Sequence, residues 1–202
     1  EINFPQTHFV RYADDVIVHC QTKEEAEGML EAIQARLYEI GLRTNERKTK
    51  IVYCKDYRRK LKQKQVQFDF LGFSYQPRLS KNKITKGMFT TFTPEISKEN
   101  KKRIRDSIKE TVNWRNTTQA IDTIALKLNS KLRGWINYFS MFGKRELRKT
   151  LLYLEWKLVY WIQRKHKKGL RWSINHLDAI KRKNPTLFYH WETNYCYYLL
   201  KK

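Results

Sequence analysis

Cysteine is scarce in this sequence and never occurs in closely spaced pairs. The three cysteines, Cys20, Cys54 and Cys196, lie far apart along the chain. Structural zinc sites usually combine closely spaced cysteines and histidines, and disulfide-stabilised domains are dense in cysteine. The sequence therefore indicates neither kind of site, and three isolated thiols are typical of a reducing intracellular setting. The wide spacing of His166, His176 and His190 favours packing or phosphate contact over metal ligation.

Long apolar runs are also missing. A helix needs about 20 consecutive apolar residues to span a bilayer, and no stretch of the sequence approaches that length. No signal-peptide pattern opens the chain. The sequence therefore does not favour a membrane protein. Its apolar fraction of 41% over 202 residues is enough to form a core, in one large domain or two small ones.

Acidic residues are too few to balance the basic ones. Lysine and arginine total 42 against 20 aspartates and glutamates, which gives a formal net charge of +22. An excess of this size indicates a polyanionic partner, and an aromatic content of 14% supplies rings on which bases can stack. The alternative is a basic protein whose charges only face solvent.

The clearest chemical motif is Tyr12-Ala13-Asp14-Asp15, between the apolar runs Phe9-Val10 and Val16-Ile17-Val18. Two β-branched segments around a small residue and two acids predict a tight β-hairpin with the carboxylates at its turn. Mg²⁺ prefers oxygen ligands and often takes one or two carboxylates together with a substrate phosphate. The motif predicts a metal site, and its alternative is an ordinary solvent-facing turn.

Five blocks of sequence, in this order, resemble the group II intron reverse transcriptases, also called intron-encoded maturases. Those blocks are Phe9-Val10-Arg11-Tyr12-Ala13-Asp14-Asp15, Gly41-Leu42-Arg43-Thr44-Asn45-Glu46-Arg47-Lys48-Thr49, Phe70-Leu71-Gly72-Phe73, Leu132-Arg133-Gly134-Trp135-Ile136-Asn137-Tyr138-Phe139 and Asn184-Pro185-Thr186-Leu187-Phe188-Tyr189-His190-Trp191. The first three match the polymerase part of that family and the last two its maturase-specific domain. The resemblance is specific and nearly full-length.

The resemblance implies an RNA-directed DNA polymerase that also assists splicing. Asp14 and Asp15 would be catalytic metal ligands in a site with two Mg²⁺ ions, while Tyr12, Ala13 and Lys48 would contact substrate or template. Residues Leu71, Gly72 and Phe73 would form a primer-grip-like hairpin. The implied partners are a group II intron RNA, a DNA target or primer and deoxynucleotides. We expect no membrane partner and a cytoplasmic location, in a bacterial cell.

Members of this family carry a further catalytic aspartate well upstream of the Tyr-Ala-Asp-Asp motif, and the present sequence begins about ten residues before it. We therefore expect the chain to be the C-terminal part of such a protein, without polymerase activity on its own. The alternative is a non-catalytic RNA-binding module that assists splicing by itself.

The resemblance and the residue patterns together predict an α+β fold. Residues 1–76 would form the C-terminal part of a polymerase palm made of antiparallel hairpins and a helix, 77–92 a linker or hairpin, and 93–202 an all-α thumb and maturase domain. In the palm, Thr22 and Glu25 form a capping box for a helix with a buried apolar face that ends at Gly41. Residues 51–53 predict a short strand.

The predicted helical domain begins with Thr93 as an N-cap and Pro94 as the first helical residue. Two long amphipathic helices follow, joined by a turn at Gly143 into an antiparallel pair. Trp135 and Trp161 fall on their apolar stripes and are expected in the core. Gly134, inside a strong helical pattern, lowers helix stability by about 1 kcal/mol relative to alanine, which a close helix approach or an RNA contact would explain.

Basic residues on these helices are the candidates for binding RNA. The candidates are Lys102, Arg103, Arg105, Arg133, Arg164, Lys165 and Lys167. A helix with one basic and one apolar face suits contact with both protein and a nucleic-acid backbone. For the cluster Arg164 to Lys168, a favourable interaction of cations with the helix end is an equal alternative.

Overall fold

The structure is a computed structural model that describes residues 7–59 and 61–197. The chain divides into two compact units. The first contains the described residues up to Phe70 together with Tyr75–Thr93, and the second contains Leu71–Ser74 together with the described residues from Pro94 on. The elements, in chain order, are β1 His8–Tyr12, β2 Asp15–His19, α1 Lys23–Glu39, β3 Phe68–Phe70, β4 Phe73–Lys81, β5 Met88–Ile96, α2 Lys98–Thr111, α3 Ile121–His166, α4 Leu170–Lys183 and α5 Tyr189–Glu192.

The predicted hairpin at the start of the chain is confirmed. Strands β1 and β2 are antiparallel, with His8 opposite His19 and Tyr12 opposite Asp15. The two residues between the strands, Ala13 and Asp14, form the turn. Ala13 has a φ of +51°, a left-handed conformation that residues other than glycine rarely adopt. The two apolar, β-branched runs specified the strands, and the turn reverses the chain at the acidic pair.

Helix α1 begins as predicted but packs less than predicted. The Thr22 hydroxyl accepts a hydrogen bond from the Glu25 N–H at 3.1 Å, and the Glu25 carboxylate accepts from the Gln21 N–H at 2.6 Å. At the other end Gly41 has a φ of +75°, as a left-handed helix stop requires. However, no residue of α1 is buried. The prediction of a buried apolar face was wrong within the part of the chain that the structure describes, because no described element covers it fully.

Strands β3, β4 and β5 form a second sheet in that order. Leu71 and Gly72 connect β3 to β4, and both have positive φ, as a type I′ hairpin turn requires. This confirms the hairpin predicted at Gly72, and residues 77–92 belong to a β4–β5 hairpin. The strand predicted at residues 51–53 is not formed: Tyr53 donates to the Gln65 carbonyl at 2.9 Å, but this part of the described chain builds no ladder.

The helical part starts later than predicted. Thr93 and Pro94 lie in β5, and the N-cap of α2 is Ser97, whose hydroxyl accepts from the Asn100 N–H at 3.2 Å. Because β5 lies at the edge of its sheet, it tolerates a proline that lacks an N–H. The proline signal was therefore assigned to the wrong element.

Helix α3 contains 46 residues, with a non-helical residue, Gly143, near its middle. A straight helix of that length would extend about 70 Å. Instead Lys165 Nζ, near the end of α3, donates to the carbonyls of Thr117 and Gln119, directly before its start. The chain must therefore reverse at Gly143, which confirms the predicted antiparallel pair.

The core of this unit lies between the two halves of α3 and the shorter helices α2, α4 and α5. Buried apolar side chains on α3 include Ile124, Leu128, Leu132, Ile136, Leu147, Leu151, Leu154, Leu158, Trp161 and Ile162. They recur every three or four residues, which is why the sequence predicted both halves of the helix. Trp161 is buried as predicted, whereas Trp135 is only partly covered.

Candidate nucleic-acid interface and metal site

The acidic pair lies on the exposed β1–β2 turn. Asp14 is the second residue of the turn and Asp15 the first residue of β2, and both face solvent. The Arg11 Nε–H donates to the Ala13 carbonyl at 3.0 Å, which stabilises the left-handed residue between the strands. Two exposed carboxylates on consecutive residues fit the hard oxygen ligands that Mg²⁺ prefers. The described residues contain no cluster of three or more potential ligands.

The other residues predicted at this site occupy different positions. Tyr12 and Ala13 adjoin the acidic pair in the hairpin. Lys48 lies in an exposed turn after α1, where its N–H donates to the Asn45 carbonyl at 3.0 Å. No hydrogen bond or ion pair between described residues links Lys48 to the hairpin.

The primer-grip-like residues are fixed by hydrogen bonds to the helical unit that contains them. The Leu71 carbonyl accepts from the Tyr138 hydroxyl at 2.8 Å. The Gly72 carbonyl accepts from the Ser97 N–H at 3.0 Å and from Asn100 Nδ2 at 3.2 Å. A Cβ on Gly72 would lie 2.5 Å from Asn100 Nδ2, so glycine is needed there for space as well as for its positive φ.

Phe73 follows as a buried anchor. Its ring lies 5.4 Å from that of Phe139 and 5.6 Å from that of Phe142, in edge-to-face arrangements, and 5.7 Å from that of Tyr138. These separations are typical of aromatic packing. The turn is therefore held rigidly on α3, and the role of Phe73 in this structure is packing.

The cations of helix α2 lie in two different environments. Its exposed face carries Lys102, Arg103 and Arg105, of which Arg103 pairs with Glu99 at 2.6 Å. Lys101 instead lies against α3, where its Nζ donates to Glu146 Oε2 at 2.9 Å. The exposed cations remain available to a partner, because a solvent-exposed ion pair such as Arg103–Glu99 is weak.

The two maturase-like sequence blocks contact each other. The Tyr189 hydroxyl donates to Asn137 Oδ1 at 3.4 Å. Asn129, which precedes the first of these blocks, also bonds the second: its Oδ1 accepts from the Tyr189 N–H and its Nδ2 donates to the Leu187 carbonyl, both at 3.0 Å. The guanidinium of Arg133 lies over the Tyr189 ring at 5.1 Å. The stacking holds Arg133 in place on an exposed surface.

Gly134 lies on the same exposed surface as Arg133. A Cβ added there would meet nothing within 4 Å, so the close helix approach offered as one explanation of this glycine is wrong for the described part of the chain. The RNA contact offered as the other explanation stays a prediction.

The candidates at the end of α3 differ from one another. Arg164 Nη2 donates to the Trp114 carbonyl at 2.7 Å, and Lys165 bonds the two carbonyls that precede α3. Both cations therefore stabilise the loop between α2 and α3. Lys167 is exposed and caps the helix with a left-handed φ of +50°.

Sequence reasoning missed a buried polar cluster in this unit. Glu155 Oε1 accepts from Trp191 Nε1 and contacts His190 Nε2, both at 2.8 Å, and Glu155 Oε2 pairs with Lys181 Nζ at 2.9 Å. Burial raises the pKa of Glu155, but the His190 hydrogen bond and the charges of His190 and Lys181 outweigh it and lower that pKa. The sequence signal for this cluster was a charged residue, Glu155, on the apolar stripe that contains Leu151 and Leu158.

None of the described helices combines the length with the apolar character that spanning a bilayer requires. Two family models match the sequence. Residues 2–75 match the model described as "Reverse transcriptase (RNA-dependent DNA polymerase)", and residues 101–177 match the model described as "Group II intron, maturase-specific domain". No significant match was found among curated proteins or among solved structures. The two matches follow each other in the order that the sequence blocks predict, with residues 76–100 between them, and the last block, Asn184–Trp191, lies beyond the second match.

Proposed function

We propose the roles of individual residues from the family to which the chain belongs. The chain carries the reverse-transcriptase and maturase segments of a group II intron protein and is a member of that family. The family is that of an RNA-directed DNA polymerase and splicing maturase, and its partners include intron RNA. Reverse transcriptases in general use divalent metal ions. We infer that Asp14 and Asp15 provide two carboxylate ligands of the polymerase metal site.

The observation that supports this role is the position of the two acids. The β1–β2 hairpin presents both in solvent on consecutive residues, the last of the turn and the first of β2. Mg²⁺ bound there would stabilise charge on the attacking and leaving oxygens of nucleotidyl transfer. The strand pairing and the Arg11 hydrogen bond to the Ala13 carbonyl order the backbone that carries the two carboxylates.

The remaining assignments follow from the same comparison. We propose that Tyr12, Ala13 and Lys48 contact nucleotide or template, and that Leu71 and Gly72, held in place by the packing of Phe73, position a DNA primer. We assign intron-RNA binding to the exposed cations Lys102, Arg103, Arg105, Arg133 and Lys167. Arg164 and Lys165 are assigned a structural part, because their hydrogen bonds to carbonyls are already formed in the free protein.

Metal binding can be tested without polymerase activity. Paramagnetic Mn²⁺ titrated into the ¹⁵N-labelled protein should broaden the amide signals of residues 12–16 first. Replacing both acids, Asp14→Asn with Asp15→Asn, should abolish this selective broadening. Asp122→Asn is the matched control, because Asp122 is an exposed acid on α3 outside the hairpin. Equal broadening in the double variant would contradict the assignment.

The experiment also separates the polymerase role from the alternative. A stand-alone RNA-binding module needs neither acid, so it predicts no selective Mn²⁺ effect at the hairpin. It predicts intron-RNA affinity that is the same in the wild type and in the double variant. The polymerase assignment makes the same prediction for RNA affinity but requires the Mn²⁺ effect.

A further inference from the structure

Three rings meet where α3 turns into α4. His166 is the last residue of α3, and Trp172 and His176 lie one turn apart on α4. The Trp172 and His176 rings are stacked, with centroids 4.6 Å apart and an interplanar angle of 11°. His166 tilts against both, at 5.3 Å from Trp172 and 5.0 Å from His176. We call these three residues the Trp172 cluster.

The Trp172 cluster differs from the structural tryptophans of the same unit. Trp114, Trp161 and Trp191 are buried, and each indole N–H donates a hydrogen bond, to the carbonyls of Ile108 and Asn116 and to the Glu155 carboxylate respectively. Trp172 is 39% exposed. Burial does not account for a large aromatic ring at this position, whereas ligand contact would use the exposed part of the indole.

Three cations lie next to the cluster in sequence, two on the connection between the helices and one in the first turn of α4. Lys167, Lys168 and Arg171 are all exposed. Unlike Arg164 and Lys165, whose side chains donate to backbone carbonyls, none of them forms a side-chain hydrogen bond or an ion pair with another described residue. Lys167 has a left-handed conformation and turns the chain from α3 into α4. The three cations and the Trp172 indole therefore lie at the same turn between the two helices. A ring beside unpaired cations matches the chemistry of one nucleotide, a base next to a phosphate.

We propose that the Trp172 cluster stacks an unpaired RNA base while Lys167, Lys168 and Arg171 bind the adjoining phosphates. The inference rests on the proposed RNA-binding function and adds the class of RNA element recognised. Bases in an RNA duplex are stacked on their neighbours and present no free face, whereas loops and bulges can place a base on an aromatic ring. The site therefore prefers single-stranded RNA over duplex RNA.

The test compares two probes of known structure. A fluorescein-labelled adenosine oligomer of about ten nucleotides represents unpaired RNA, and a mixed-sequence RNA duplex of about ten base pairs represents paired RNA. Fluorescence anisotropy gives the dissociation constant of each. Trp172→Ala should weaken oligomer binding roughly fivefold or more, as loss of one stacked base predicts. Duplex binding should change by less than about twofold, because the cations remain.

Trp156→Ala is the matched control. Trp156 is a partly exposed tryptophan on α3 that also stacks on a neighbouring ring, that of Tyr160 at 5.9 Å. This variant should leave both dissociation constants unchanged. Trp172→Phe, which keeps an aromatic face, should retain most of the oligomer affinity.

The outcomes separate the inference from the function on which it rests. If the wild type binds both probes and Trp172→Ala weakens neither, or weakens both equally, the stacking site is wrong and RNA binding stands. If the wild type binds neither probe, RNA binding itself fails. Should Trp172→Ala unfold, 4-thiouridine crosslinking of the wild type decides: crosslinks within residues 166–176 support the site, and crosslinks only elsewhere overturn it.

Discussion

At the residue scale, Glu146 shows how one side chain joins two helices and responds to pH. Its carboxylate accepts from Lys101 of α2 at 2.9 Å and from Lys149 of α3 at 2.6 Å. Partial burial acts to raise its pKa, but the hydrogen bonds from Lys149 and Lys101 and their charges dominate and lower it to about 2. A pKa lowered by folding means that the ionised form stabilises the native state.

The sign of this shift gives a pH prediction. Glu146→Gln should lower the free energy of unfolding at pH 7 by roughly 1–2 kcal/mol, allowing for solvent screening of the half-exposed Lys149. The difference from the wild type should persist above about pH 5 and shrink as pH falls from about 4.5 towards 2, where the wild-type carboxyl becomes protonated. Urea unfolding between pH 2.5 and 7 measures it.

Glu99→Gln is the control for that experiment. Glu99 also pairs with a cation on α2, Arg103, but both side chains are largely exposed. Exposed pairs contribute little, so this variant should stay within about 0.5 kcal/mol of the wild type throughout. A difference for Glu146→Gln that did not shrink in acid would contradict the pKa argument.

At the element scale, the two glycines of α3 have opposite roles. Gly143 is buried at the reversal of the helix, and a Cβ there would lie 2.9 Å from Ile96 Cγ1. Gly134 is exposed with nothing near its missing Cβ. Gly143→Ala should therefore lower the free energy of unfolding by about 1–3 kcal/mol through overpacking. Gly134→Ala should raise it by roughly 0.5–1 kcal/mol through helix propensity.

Each variant serves as the other's control, because both remove the same backbone freedom from the unfolded chain. Urea unfolding of the two proteins and the wild type is the measurement. If Gly143→Ala were as stable as Gly134→Ala, the contact with Ile96 would not constrain the turn. A gain in stability for Gly134→Ala together with weaker intron-RNA binding would support an RNA contact at this glycine.

The elements also show which features the sequence could predict. The apolar stripes of α3 and the hairpin with its acidic turn follow from the local sequence, and the structure confirms both elements. The start of α2 was misplaced because Thr93-Pro94 matches both a helix start and an edge strand, and only strand pairing distinguishes them. The roles of Arg164 and Lys165 depend on carbonyls about 50 residues away in the chain, which no local pattern reports.

At the scale of the whole molecule, the net charge of +22 raises the question of which cations bind phosphate and which stabilise the fold. Lys101, Arg164, Lys165 and Lys181 are engaged by carboxylates or carbonyls within the protein. Lys102 and Arg105 are exposed on one helix and are the clearest candidates for phosphate contact. Total charge alone does not distinguish the two groups of cations, because every cation contributes to the long-range attraction of a polyanion.

The salt dependence of RNA binding does distinguish them. Each phosphate contact releases counterions, so losing one contact should make the plot of log affinity against log salt shallower by about one unit. The double variant Lys102→Ala with Arg105→Ala should therefore reduce the slope for a group II intron transcript by about one to two units. Lys81→Ala with Lys83→Ala removes the same charge from exposed positions on and beside β4. That control should weaken binding slightly and leave the slope unchanged. Equal reductions in slope for the two doubles would mean that intron RNA senses the overall charge and that the basic face of α2 makes no specific phosphate contact.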